Sequence, residues 1–241
     1  GQGYQMEAKL PEKNKRLITQ DNELIEACYR MDVNEKRLII LGISKVNPLS
    51  GIPDASKPFK FEITAAQWEE VYGDQNAWRA IKRTADKLLS RQITLHPKTN
   101  VVEKLNWFDR VKYYNNEGKI EVQFTRSVQI RLAGMLEQFT TIDLFAVNKL
   151  RSFYSIRLYE ILSQFDHTGY RVMTVKDFRH AMDCVNINPQ TKDLKRRILN
   201  PAINELNKQS DMDCSVKDIK DGRKITHFAF TFSKKPQQAL L

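Results

Sequence analysis

The same order of predicted elements occurs twice along this chain, and this repetition constrains the fold more than any other feature. In each half, a helix is followed by a short strand, a capped helix, a turn, a long basic helix and a two-strand hairpin. This is the order of a winged helix-turn-helix. The sequence therefore predicts an α+β chain made of two tandem winged helix-turn-helix domains related by a pseudo-repeat.

The first copy is assigned from apolar periodicity and from turn residues. Thr64 is a candidate N-cap, and Gln67 stands where a capping box needs it. The helices are predicted over residues 21–31, 34–46, 64–73 and 76–91, and the strands over residues 59–63, 105–114 and 119–125. The apolar side chains of the last two strands, such as Trp107 and Phe124, either fill the core of the domain or form a surface for a second copy.

The second copy follows the same plan from residue 148 onward. Thr174 is a second candidate N-cap, and the Asp221–Gly222 dipeptide is a favoured hairpin turn. The helices are predicted over residues 148–165, 175–182 and 191–207, and the strands over residues 170–173, 214–219 and 225–232. Pro189 lies in the expected turn between the helices predicted over residues 175–182 and 191–207, where proline is common.

The basic helix over residues 191–207 has two chemically different faces. Leu194, Ile198, Ala202 and Leu206 form an apolar stripe, and Arg196, Arg197, Asn200 and Asn204 lie on the opposite face. Lys195 falls beside the stripe, and Pro201 is expected to kink or break the helix because it lacks an N–H group.

An arginine and asparagine face suits the major groove of DNA, since arginine donates two hydrogen bonds to guanine and asparagine bonds adenine in the same way. A solvated surface helix would show a similar pattern. The predicted winged-helix setting favours the interpretation as a DNA-reading helix.

Composition points in the same direction. The chain has 241 residues and a formal net charge of +10. Residues 148–241 hold 17 basic and 10 acidic side chains, so this half carries most of the excess. A basic surface of this kind favours a polyanionic partner.

The three cysteines are far apart and form no CxxC pair, which is typical of reduced thiols in a cytoplasmic protein. No apolar run reaches the length of a membrane span, and no signal peptide is recognised. We expect a cytoplasmic protein without a membrane partner.

The expected organisation has five parts. Residues 1–17 are taken as an expression remnant, ahead of Met6, and a flexible N-terminus. The N-terminal domain, for dimerisation and DNA backbone contacts, is predicted over 18–138, a linker over 139–147, the C-terminal domain, for sequence-specific binding, over 148–233 and a flexible tail over 234–241.

Two segments carry a family resemblance. The stretch Leu150–Phe165, with Arg-Leu-Tyr-Glu at residues 157–160, and the stretch Ile198–Asn207 resemble two signatures of the replication initiators of iteron-containing plasmids that replicate by the theta mechanism. The resemblance implies two winged-helix domains, binding of repeated origin sites (iterons) in double-stranded DNA, origin opening and repression of its own promoter. It also implies a homodimer and recruitment of host replication proteins, including the replicative helicase.

The resemblance and the two basic helices together give the expected DNA-binding residues. In the C-terminal domain these are Lys192, Lys195, Arg196, Arg197 and Asn200, joined by Arg223 and Lys224 beside the hairpin turn. In the N-terminal domain they are Arg79, Lys82, Arg83 and Lys87. Arg157 and Glu160 are assigned to a buried structural arrangement.

Two alternatives stay open. A rolling-circle initiator cuts DNA with a tyrosine and a metal, and Tyr113 and Tyr114 invite comparison, but the four histidines are scattered and a packing role is favoured for the tyrosine pair. No phosphate-binding loop or zinc-type cluster is found. We therefore expect no catalytic residue, no metal and no cofactor. The second alternative is a dedicated transcriptional repressor.

Overall fold

The computed structural model describes residues 17–21, 31–45, 54, 56–98, 100–133 and 139–236. Within them the chain forms two winged-helix units, as the repeated order of elements predicted. The helix expected over residues 21–31 lies almost wholly outside the described residues, and Asp21 ends a strand instead.

The first unit has the expected order, with one insertion after its basic helix. Thr64 caps the second helix through the predicted capping box, in which its side chain accepts a hydrogen bond from the Gln67 N–H and the Gln67 side chain accepts one from the Thr64 N–H. Gly73 ends that helix in the left-handed conformation (φ 67°), which glycine adopts at little cost. The elements are β1 (Leu17–Asp21), α1 (Val33–Ile43), β2 (Lys60–Thr64), α2 (Ala65–Tyr72), α3 (Ala77–Ser90), β3 (Gln92–Lys98), β4 (Val101–Asn106), β5 (Phe108–Tyr114), β6 (Lys119–Phe124) and α4 (Arg126–Ala133).

The strand predicted over residues 105–114 is wrong as a single element. The strand is interrupted at Trp107, whose side chain is buried and whose carbonyl accepts a hydrogen bond from the Thr125 N–H at 2.9 Å. Upstream of the break, β4 pairs with β3 in a hairpin that the sequence interpretation missed. The alternation of buried Ile93 and Leu95 with polar neighbours was the available signal for β3.

The sheet of the first unit has the order β2–β6–β5, with both neighbouring pairs antiparallel. Its inward side chains include Phe61, Phe108 and Phe124, whose ring centres lie 5.2 to 6.0 Å apart. A Cβ on Gly42 of α1 would approach the Phe61 ring to 2.6 Å, so α1 crosses this aromatic cluster where no side chain fits. The apolar residues of the β5–β6 hairpin therefore fill the core of their own unit.

Residues 139–147, expected as a linker, contain regular structure. They hold β7 (Phe139–Asp143) and most of α5 (Leu144–Asn148). Strand β7 pairs antiparallel with β1, so the two ends of the first unit meet in a two-stranded sheet. The expected domain boundaries themselves remain predictions.

The second unit repeats the plan of the first. The helix predicted over residues 148–165 begins later, after Ser152, whose side chain accepts the Tyr154 N–H as an N-cap. The elements are α6 (Phe153–Ser163), β8 (Tyr170–Thr174), α7 (Val175–Ala181), α8 (Thr191–Leu194), a π-helical turn (Lys195–Leu199), α9 (Asn200–Gln209), β9 (Met212–Asp221) and β10 (Lys224–Lys234). The sheet order is β8–β10–β9.

The core of the second unit lies between this sheet and its helices. Phe228 and Phe230 on β10 are buried and pack on Phe178 of α7, with ring centres 5.3 and 6.2 Å away. Cys184 and Cys214 are free thiols buried in the same unit, and burial raises the pKa of Cys214 to about 12. Cys28 lies outside the described residues.

Candidate nucleic-acid interface

The C-terminal basic helix, residues 191–209, is continuous through α8, the π-helical turn and α9. The predicted apolar stripe is its buried face, with Leu194, Ile198, Ala202 and Leu206 at most 3% exposed. The opposite face is solvent-exposed and consists of Lys192, Arg196, Arg197, Asn200, Pro201, Asn204 and Lys208. The two faces predicted from the sequence are thus both present.

Pro201 lies directly after the π-helical turn. In that turn the Asn200 N–H donates to the Lys195 carbonyl, five residues back. Proline has no N–H to continue the α-helical pattern, and its ring would crowd the carbonyl four residues back, here that of Arg197. The wider π-helical turn relieves both problems, so the helix is not broken at Pro201.

The exposed face holds side-chain donors that no described residue accepts from. Within the described part of the chain, the side chains of Arg197 and Asn200 form no hydrogen bond or ion pair. Arg196 is different, since its Nη2 atom lies 2.7 Å from Oδ1 of Asp193, although its side chain is 64% exposed. This pair at i and i+3 was visible in the sequence and was overlooked.

Lys195 does not belong to this exposed face. Its Nζ atom lies 2.5 Å from Oδ2 of Asp218 on β9, and its side chain is 24% exposed. The expected position beside the apolar stripe is correct. Its positive charge is paired within the protein, in contrast to that of Arg197.

The β9–β10 hairpin is the wing of the second unit. Arg223 and Lys224 are exposed at its tip, next to Gly222, which has a positive φ of 57° as a tight turn requires. Lys217 and Lys220 on β9 are also exposed, so the wing presents a second basic surface beside the helix.

The N-terminal basic helix, α3, presents a mixed surface. Arg79 and Arg83 are exposed, and Lys82 lies over Trp78 and Tyr113, with Nζ 5.4 and 6.0 Å from the ring centres. A shallow concavity of about 630 Å³ follows this face and is lined by Trp78, Arg79, Lys82, Arg83, Asp86 and Lys87. Trp78 was not among the predicted site residues, although its spacing from Lys82 at i and i+4 places the two together.

Lys87, expected on the same DNA-binding face, forms an ion pair within the protein. Its Nζ atom lies 2.6 Å from Oδ2 of Asp32, the residue that caps α1. The pKa of Asp32 is lowered: burial alone would raise it, but the hydrogen bond from Lys87 and the Glu35 N–H outweigh that effect. The structure thus brings Arg79, Lys82 and Arg83 together and directs Lys87 towards α1.

Tyr113 is half-buried and packs against the core of the first unit. Tyr113 donates a short hydrogen bond to Asp86, and burial together with this bond raises the pKa of the phenol. A raised pKa disfavours the phenolate that a nucleophile needs. The described residues contain no group of three or more metal-ligating side chains.

The Arg-Leu-Tyr-Glu segment of α6 is structural, as assigned from the sequence. Arg157 is buried and donates from Nε and Nη2 to the Ala181 carbonyl, at 2.9 and 2.6 Å. Glu160 is buried beside it, with Oε2 at 3.6 Å from Nη1 of Arg157. The Oε1 atom of Glu160 lies 2.7 Å from Nζ of Lys36 on α1, in the other unit. Sequence reasoning missed Lys36, which stands between Glu35 and Arg37 in α1 and meets Glu160 only through the tertiary structure.

No helix in the described ranges is both long and apolar enough to cross a bilayer.

Comparison with known proteins is consistent with this fold. An uncharacterised 27.6 kDa protein of Escherichia coli is 24% identical over 216 residues, which is 83% of this chain and 88% of that protein. The PI protein of Escherichia coli is 28% identical over 146 residues, 53% of this chain and 48% of that protein. A crystal structure of the Pi initiator protein in complex with iteron DNA has a TM-score of 0.78 at 21% identity, covering 92% of this chain and 98% of that one.

Family models cover most of the chain. The WH1 model of the initiator replication proteins matches residues 17–163, and the WH2 model of the same proteins matches residues 174–232. The first match spans more than half of the sequence and includes α6, whereas the second begins at the cap of α7. The chain therefore belongs to the initiator replication protein family and carries both of its winged-helix modules.

Proposed function

We propose that this protein initiates plasmid replication by binding repeated double-stranded sites at the origin, with the C-terminal basic helix in the major groove. The observation that carries the proposal is the exposed face of that helix, on which the side chains of Arg197 and Asn200 make no hydrogen bond or ion pair with any described residue and lie beside Arg196. A winged-helix unit presents such a helix to DNA, and a helix fits the major groove.

Base reading is assigned to three side chains on this face. Arg196 and Arg197 are matched to guanine, and Asn200 is matched to adenine, because these pairings are bidentate. Arg196 must leave Asp193 to read a base, whereas Arg197 has no such bond to give up. We therefore expect Arg197 to contribute more to discrimination than Arg196.

The remaining basic residues are assigned to the DNA backbone. They are Arg223 and Lys224 at the wing tip, Lys192 at the start of the helix, and Arg79, Lys82 and Arg83 on α3, of which Lys82 also donates from Nζ to Oδ1 of Asn115 at 3.3 Å. Phosphate contacts fix the position of a protein on the duplex without reading sequence. Lys195 and Lys87 enter this set only if DNA displaces Asp218 and Asp32.

The similar Pi initiator, solved with iteron DNA, supports this assignment by its fold. Origin opening, repression of the protein's own promoter, a homodimer and recruitment of host replication proteins, including the replicative helicase, are parts of the same proposal. They rest on family membership, and the place of action is the cytoplasm, where the origin lies.

The test is selection of bound duplexes from a random library, followed by measurement of binding to the selected duplex and to a scrambled duplex of equal composition. Replacing Arg197→Ala is expected to cost roughly 1–3 kcal/mol on the selected duplex and much less on the scrambled one. Lys208→Ala removes an exposed charge from the far end of the same helix, and it is expected to leave the ratio of the two affinities unchanged. Failure to select any duplex, or an unchanged ratio for Arg197→Ala, refutes the proposal.

A second measurement separates this function from that of a nicking initiator. We propose a non-enzymatic initiator, so incubation with supercoiled plasmid carrying the selected sites and Mg²⁺ is expected to leave the plasmid covalently closed. Nicked circles that disappear with Tyr113→Phe or Tyr114→Phe would favour the rolling-circle alternative.

A further inference from the structure

The two winged-helix units meet through their first helices, α1 and α6. Both helices are enclosed on nearly all sides: residues 38–43 of α1 and residues 155–163 of α6 are all buried. Within its own unit, α1 packs against α3, and α6 packs against α9. The contact between α1 and α6 contains charged groups, which is unusual for a buried surface.

An ion pair joins the two helices at this contact. Lys36 Nζ lies 2.7 Å from Glu160 Oε1, and neither side chain has any solvent exposure. A buried charge that loses its partner is strongly destabilising. Glu160 also lies 3.6 Å from Arg157, but separating the two units breaks its 2.7 Å contact with Lys36, so this buried pair favours the distance and orientation at which α1 and α6 meet.

On the N-terminal side, α1 is tied to the basic helix α3 by two further ion pairs. Glu35, next to Lys36, accepts hydrogen bonds from Nε and Nη2 of Arg91 at 2.7 and 3.2 Å. Asp32 accepts one from Lys87 at 2.6 Å. Arg91 and Lys87 lie at the C-terminal end of α3, so the position of that helix follows the position of α1.

On the C-terminal side, α6 is tied to the C-terminal basic helix by Glu205. This carboxylate on α9 accepts the N–H groups of Arg151 and Ser152 at 2.7 and 3.3 Å, and it accepts the hydroxyl of Ser155. These donors lie at the N-terminal end of α6, where backbone N–H groups need acceptors. The same helix that presents Arg197 thus holds the start of α6.

We infer that the Lys36–Glu160 ion pair fixes the separation of the two basic helices and so sets the spacing between the two DNA segments that the protein binds together. Lys36 and Glu160 are positioning residues in this scheme, since both are buried away from any DNA. The inference rests on the proposed function, and it names the ion pair that sets the spacing between the two bound DNA segments. One inserted base pair moves a site by about 3.4 Å along the axis and turns it by about 35°.

The experiment uses the full chain and the duplex selected from a random library. The segment covered by each unit is mapped by protection, and two base pairs are then inserted between the segments. Wild-type protein is expected to bind the inserted duplex at least about tenfold more weakly, because only one unit can engage at a time. The variant Lys36→Met with Glu160→Gln removes both charges but keeps the side-chain volumes and an acceptor for Arg157. In this variant the penalty for insertion is expected to fall to less than about threefold.

A control removes a partly exposed ion pair that lies within one unit, where Glu121 also contacts Lys112. Lys60 on β2 and Glu121 on β6 are 3.8 Å apart, so Lys60→Met with Glu121→Gln makes the same chemical change without touching the contact between units. The control is expected to keep the wild-type penalty. Glu205→Gln weakens the link between α9 and α6 at a half-buried position, and it provides a milder variant should the buried double variant fail to fold. Its insertion penalty is expected to lie between that of the wild-type protein and that of the double variant.

Several results would overturn the inference. One is a wild-type protein that tolerates the insertion with little loss. Another is a folded double variant that keeps the full penalty, and a third is a Glu205→Gln variant that keeps it when the double variant does not fold. All three are distinct from failure of the proposed function, which appears as no selected duplex at all.

Discussion

Lys195 on the C-terminal basic helix and Asp218 on strand β9 form an ion pair, with 2.5 Å between Nζ and Oδ2. The pair connects the C-terminal basic helix to the wing beside it. The second carboxylate oxygen of Asp218 is buried and has no hydrogen-bond partner among the described residues, so Lys195 is the main contact of this carboxylate there. One of the basic residues of the proposed DNA-binding surface is thus neutralised by the protein itself.

The variant Asp218→Asn is expected to raise the affinity for DNA without increasing the preference for the selected duplex. The change releases the charge of Lys195 for a phosphate, so affinity should rise for selected and scrambled duplexes alike, and the salt dependence should steepen by up to about 0.9 in the log–log slope. Fluorescence anisotropy over a range of salt concentrations measures both. Glu70→Gln, an exposed change on α2, controls for net charge and should leave the slope nearly unchanged. Weaker binding by Asp218→Asn would mean that the pair is needed to hold the helix in place.

The basic helix α3 is expected to contribute position and little sequence reading. Arg79→Ala with Arg83→Ala should weaken selected and scrambled duplexes by similar factors, because phosphate contacts carry no sequence information. The log–log salt slope should flatten by up to about one unit for each lost contact. Lys57→Ala with Lys104→Ala removes the same charge from exposed sites off the helix and should have a smaller effect. A loss confined to the selected duplex, with an unchanged slope, would assign base reading to α3.

The Asp32–Lys87 pair should make stability depend on acid pH. Because the pKa of Asp32 is lowered in the folded protein, its stabilising contribution is present above the pKa of the unfolded chain, near 3.8, and is lost as pH falls through the lower folded value. Lys87→Met should therefore lower the melting temperature at neutral pH and flatten its fall in acid. Lys57→Met, which removes an exposed lysine, provides the comparison. An unaltered pH profile for Lys87→Met would show that this pair contributes nothing to stability.

The buried ion pair between the units should show strong energetic coupling. Glu160→Gln alone leaves Lys36 buried without its counter-charge and is expected to cost about 3–5 kcal/mol of unfolding free energy. Adding Lys36→Met should restore part of this loss, so the double variant should be more stable than the sum of the single changes by at least about 1 kcal/mol. Urea unfolding of the four proteins gives this coupling energy. Simple additivity would show that the two side chains are not coupled across the interface.

Local sequence determined much of the fold and of the candidate site. Thr64 with Gln67 predicted a helix start because a capping box involves only residues three apart. The buried and exposed faces of the C-terminal basic helix followed from helical periodicity alone, which is why Arg197 and Asn200 were found. The π-helical turn before Pro201 leaves these faces in place, so the proline does not break the helix.

Tertiary structure decided which charges remain available for DNA. Lys195, Lys87 and Arg197 look alike in the sequence, yet only Arg197 lacks a carboxylate partner among the described residues, since Asp218 and Asp32 reach the other two from distant segments. Lys36 and Glu160 likewise meet only because α1 and α6 pack together. Helix periodicity depends on neighbours within a few residues, whereas an ion pair depends on where the whole chain brings two side chains, so the pattern of one segment cannot reveal its partner in another.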